Sequence, residues 1–168
     1  MRVIVSKAAP ADAAEIAALG RVTFAETFTH YTPADLAAFL DAKYQPAIFR
    51  ALIEDSADVI FKAVLDGKIV GYAQAGPCGL PHPDVTPACG ELKRLYVKGG
   101  HQGSGIGNAL LDAALGWLEK PGRKLWIGVF SENLGAQKLY ARRGFTRVGE
   151  YKFVVGQALD EEFILRRG

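Results

Sequence analysis

"ELKRLYVKGGHQGSGIGNALL" (residues 91–111) passes from strand-forming residues, through three glycines at alternate positions, into an apolar helix-forming run. Glycine loses more freedom on ordering than any other residue. Gly103, Gly105 and Gly107 therefore mark either a tight turn or a place where an anion comes close to bare backbone. Strand, glycine turn and helix together point unpaired N–H groups at a negative ligand. Without side chains in the way, successive N–H groups form a concave nest, and a pyrophosphate is the obvious guest.

Working outward, "RVIVSKA" (2–8) reads as a strand, and Ala11 to about Phe28 carries a helical apolar stripe. "YTPADLAAFLDAKY" predicts a second helix, with Thr32 as cap, Pro33 at the first position and Asp35 as the acid of a capping-box variant. A third helix is expected over 46–54. Two strands flank Asp66-Gly67, a strong hairpin signal. The proline-rich stretch 77–89 reads as a long loop. After the glycine turn follow a helix to Glu119, a strand over 123–130, a helix capped by Ser131 or Asn133 with Gly144 beyond its end, and two closing strands. The fold class is α/β with a mixed, largely antiparallel sheet.

The 168 residues fit a single domain, with 1–57 supplying a strand and helices and 58–168 the core that carries the glycine turn. A net charge of +2 argues against nucleic acid or membrane as the main partner. The start lacks a signal-peptide core and no stretch has the apolar length of a membrane span, so a cytoplasmic location is expected. Cys78 and Cys89 read as free thiols. With His82 they follow no recognised zinc spacing, and no metal is expected.

Three pyrophosphate readers compete for the turn. A Walker loop needs Gly-Lys-Ser/Thr, whereas Gly107 precedes Asn108-Ala109. A dinucleotide fingerprint wants an acid at the end of the next strand, and "RKLWIGVF" has none. Gln102-Gly103-Ser104-Gly105-Ile106-Gly107 instead resembles Q/R-x-x-G-x-G/A, the coenzyme A loop of the GNAT acetyltransferases. About 25 residues on, Asn133, Ala136, Tyr140, Gly144 and Phe145 match that family's N-x-x-A-x-x-x-Y-x-x-x-G-F block. The resemblance covers roughly 58–167, and both ends of the chain look like its polyamine-type, PaiA-like bacterial branch.

The resemblance implies a sheet of about seven strands flanked by helices, with two splayed parallel strands at its centre. It implies acetyl-CoA as co-substrate: Gln102, Gly103, Ser104, Gly105, Ile106 and Gly107 at the pyrophosphate, Leu95, Tyr96 and Val97 along the pantetheine arm, Asn133 and Ala136 beside it. Tyr140 would be the acid that protonates the departing thiolate; a phenol near 10 stands only about 1.5 units above a thiol. An alkyl ammonium near 10.4 is free base about once in 2,500 molecules at pH 7, so a base is needed, and Glu91 is the candidate. Glu26, Phe28, His30, Tyr31 and Asp84 are candidates for the acceptor pocket.

The reading is an N-acetyltransferase acting by direct attack on a small amine or polyamine, as a monomer or homodimer. A protein lysine or N-terminal acetyltransferase, a non-catalytic acyl-CoA sensor and a dinucleotide-binding module remain as alternatives.

Overall fold

The computed structural model describes residues 2–168. Its organising hairpin joins β2 (Val59–Leu65) to β3 (Lys68–Pro77). Asp66 and Gly67 take φ of 51° and 76°. Two positive angles make the mirror-image turn whose twist suits paired strands. Residues Ile69 to Gly76 of β3 are all buried, so this strand is covered on both faces.

Seven strands form one sheet in the order β1-β2-β3-β4-β5-β7-β6. β1 (Ile4–Lys7) lies at one edge, β4 (Gly90–Val97) and β5 (Leu125–Phe130) at the centre, and β6 (Thr146–Val155) with β7 (Ala158–Arg167) closes the other side. Every neighbouring pair is antiparallel except β4–β5. That parallel pair holds only from Gly90–Leu125 to Leu92–Ile127, and beyond it the two strands part. The expected splay at the centre of a seven-stranded mixed sheet is present. β1 pairs with β2, so the sheet runs across the expected division at residue 57.

α4 (Ile106–Leu118) and α5 (Leu134–Ala141) lie on one face, burying Leu110, Leu111, Leu118 and Tyr140 against Leu92, Ile127 and Leu165. α1 (Ala13–Thr27), α2 (Pro33–Lys43) and α3 (Pro46–Glu54) cover the other with a largely aromatic core: Phe24, Phe28, Tyr44, Phe49 and Tyr72. α1 begins two residues later than expected because a 3-10 turn occupies Pro10–Asp12. Thr32 caps α2 by accepting from the Asp35 amide at 3.2 Å. The expected return contact from Asp35 is absent, and its carboxylate instead accepts from the Gln157 amide at the β6–β7 turn. No helix among the described residues is long and apolar enough to cross a membrane.

Candidate active site

β4 ends at Val97, and the Gly99 amide donates to Glu26 of α1 at 3.2 Å, tying the following turn to the neighbouring layer. Gly103 and Gly105 take φ of 80° and 86°, open to glycine and strained for other residues. Gly105 is the N-cap of α4, which starts one residue later than the sequence suggests. The Ala109 amide is bonded to the Gly105 carbonyl at 3.0 Å, whereas those of Gly103, Gly105, Ile106 and Gly107 have no backbone partner among the described residues. Four free donors at a helix start form an anion cradle. The Ile106 side chain is buried in the core, and the exposed Gln102 side chain donates to the Val97 carbonyl at 3.3 Å. Ser104 donates to the His101 carbonyl.

A cleft of about 530 Å³ runs between the parted strands, lined by Leu95 and Tyr96 of β4, Val129 of β5, and Asn133, Ala136 and Tyr140 of α5. The Asn133 side-chain oxygen caps α5 by accepting from the Ala136 amide at 3.1 Å, which leaves its NH₂ group to donate elsewhere. Tyr140 is 6% exposed, its hydroxyl makes no hydrogen bond to the described residues, and burial raises its pKa. It is therefore a protonated phenol with a free O–H at the cleft wall.

Glu91 lines the same cleft and accepts from the Gly79 amide at 2.9 Å. Burial pushes its carboxyl above the usual range, against the opposing pull of that amide and of Lys93. A second acid lines the same cleft. Glu162 of β7 pairs with Phe130 of β5, accepts from the Tyr151 hydroxyl at 2.5 Å, and is likewise raised by burial. Gly128 makes room for this pair, since a Cβ there would come within 3.0 Å of the Tyr151 oxygen. Glu162 was not identifiable from local sequence: its place depends on the β5–β7 register, set by residues far apart in the chain.

The family model for the acetyltransferase (GNAT) family matches residues 23–145. The chain belongs to that family. Its relatives include an uncharacterized N-acetyltransferase of Lactobacillus delbrueckii subsp. lactis, 31% identical over 162 residues, 93% of this chain and 91% of that one. A spermine/spermidine N(1)-acetyltransferase of Bacillus subtilis is 30% identical over 92 residues, 52% of this chain and 59% of that one. In fold it resembles the PaiA N-acetyltransferase of Thermoplasma acidophilum, solved with coenzyme A, at a TM-score of 0.80 over 99% of both chains and 20% identity. The protein is thus an acyltransferase. The residues present fit coenzyme A: free amides for the diphosphate, an unpaired β4 edge for the amides of the arm, and a free phenol where the strands part.

On the acceptor side of this acetyltransferase, only part of the expected set comes together. Phe28 lines the cleft, 5.4 Å from the Phe130 ring. Tyr31 and His30 sit behind that wall, both bonded to Asp160, with His30 stacked on Phe130. Glu26 faces the Gly99 amide beside the cofactor turn, away from the cleft lining. Asp84 lies outside the cleft altogether, paired to Arg166 at 3.2 Å, because its loop folds over the buried Trp126 and Ile164. Lys43, Tyr44, Arg94 and Phe153 line the cleft and were not anticipated. Neither cysteine reaches it, and burial pushes the Cys78 thiol up to about 11.

Proposed function

We propose that the protein transfers the acetyl group of acetyl-CoA to a primary amine on a small molecule by direct attack within a ternary complex. Gly103 to Gly107 hold the diphosphate, the β4 edge from Leu95 to Val97 and the Asn133 amide hold the arm, and Tyr140 gives its proton to the departing sulfur. Glu91, directly or through one water, takes a proton from the bound ammonium and so frees the amine to attack. Against an ordinary carboxylate that transfer is uphill by about 6 units, some 8 kcal/mol. Raising the carboxyl by burial and lowering the ammonium by the same dry surroundings both shrink the gap. Glu162 adds a second carboxyl to receive the amine.

The observation that carries this reading is a free phenol and a raised carboxyl in one cleft between the parted strands, in a chain whose glycine turn leaves its amides unpaired at the start of α4. Direct attack is favoured over an acyl-enzyme because no thiol lies in the cleft. The test is thiol release from acetyl-CoA across polyamines, amino acids, aminoglycosides and peptides. Amine-dependent release with formation of the N-acetyl product is expected. Tight coenzyme A binding with no amine consumed would overturn it in favour of an acyl-CoA sensor.

A further inference from the structure

Resting on that function, we infer that the acceptor is an amine that also carries a carboxylate, and that Arg94 is the residue that selects it. In the β3–β4 ladder Gln74 faces Arg94 while Ala75 faces Leu92, so Lys93 is an extra residue in β4. Such a bulge re-aims the side chain that follows. It delivers the Arg94 guanidinium to the aromatic layer, 4.9 Å from the Tyr44 ring and 5.2 Å from that of Phe49, while Arg94 still lines the cleft.

Among the described residues Arg94 has no ion pair, and its buried Nη1 has no hydrogen-bond partner. Arg21, Arg143, Arg166 and Arg167 each reach a carboxylate. Aromatic faces attract the cation but accept none of its in-plane N–H bonds. Nη1 is enclosed in the aromatic layer, and the remaining guanidinium donors of this half-buried side chain make no hydrogen bond to the described residues either. An unpaired cation of this kind is costly alone and matched by a ligand carboxylate in the cleft, which a guanidinium can grip through two parallel bonds.

The same cleft also holds two carboxyls, Glu91 and Glu162. Three residues of extended chain separate Glu91 from Arg94, on the order of 10 Å less the bulge. Lys43 and Lys93 also line the cleft, Lys93 paired with Asp58 at 3.5 Å. A dipolar cleft of this kind suits an amino acid whose amine lies several bonds from its carboxylate. A polyamine would set its far ammonium against Arg94.

The probes are ω-amino acids of three to six carbons and diamines of matching length, titrated by calorimetry into the protein saturated with coenzyme A. The best acid is expected to bind at least about 10-fold more tightly than its diamine. Arg94→Met should bring the two within about threefold, with Arg94→Lys between, since a lysine lacks the planar fork. A diamine that binds as tightly as the acid, no measurable binding of any acid, or a preference that survives Arg94→Met would each overturn the inference. The wild-type series decides the acceptor class even if Arg94→Met fails to fold, and Arg94→Lys then tests the residue. Acid preference without acetyl transfer to any amine would sink the catalytic reading and leave Arg94 only as the residue that holds the carboxylate of a bound ligand; faster acetylation of diamines would sink this inference alone.

Discussion

Replacing Tyr140 by Phe separates chemistry from packing. The side chain is 6% exposed and packs among Leu110, Leu111 and Phe145, contacts that a phenylalanine ring keeps. Its hydroxyl has no partner among the described residues, so no hydrogen bond is lost, and stability should change by less than about 1 kcal/mol, or about 2–4 °C in Tm. Turnover should behave otherwise. A positioned general acid contributes about 10²- to 10⁴-fold, or roughly 3–5 kcal/mol at 1.36 kcal/mol per decade. Burial raises the phenol, which by itself makes it a poorer donor. The sulfur leaves into the same dry cleft, where its thiolate is destabilised too, so the driving force depends on the difference between the two groups. The assay is kcat/KM for amine-dependent thiol release, beside coenzyme A affinity by calorimetry and thermal unfolding. The expected pattern is a large fall in kcat/KM with affinity and Tm nearly unchanged. A loss of less than about threefold, or a loss of stability above about 2 kcal/mol, would refute the assignment.

Three more substitutions probe the other parts. Glu91→Gln removes a carboxyl that prefers its proton in the folded state, so wild-type stability should decline as pH rises from 4.5 through the raised folded value, and denaturant titrations across pH should show that slope reduced in the variant. The same substitution should lower kcat/KM and flatten the limb that rises as Glu91 loses its proton; an unchanged pH–rate profile would place the base elsewhere. Gly105→Ala meets no atom within 4 Å but forces alanine to a φ of 86°, at a cost of about 1–2 kcal/mol, and should weaken coenzyme A binding at least tenfold by calorimetry if the turn carries the diphosphate. Gly20→Ala sets a methyl 2.6 Å from the Tyr44 ring and 2.9 Å from the Tyr72 oxygen, an overpacking expected to cost about 1–3 kcal/mol in urea unfolding.

The two halves of the cleft differ in how far they can be read from sequence, and the difference has a physical origin. The Asp66-Gly67 turn, the Thr32 cap and the glycines at 103 and 105 each answer a constraint posed by residues two to four positions away. Local spacing therefore carries them, and the family block from Asn133 to Phe145 spans little more than one helix. The acceptor side is built from crossings. Glu162 enters because β7 pairs with β5 in one register, Arg94 because a single extra residue turns β4, and Lys43 and Tyr44 because α2 ends over the open strand edge. Asp84 shows the converse: an acid in a long loop looks available until Arg166, 82 positions along the chain, claims it. Charge counted along the chain favours carboxylates around the acceptor, whereas pairing in space removes Asp84, turns Glu26 aside and leaves Arg94 unmatched. Acceptor choice therefore rests on which charges remain unpaired after folding, and that residue of charge is a property of the sheet register rather than of any motif.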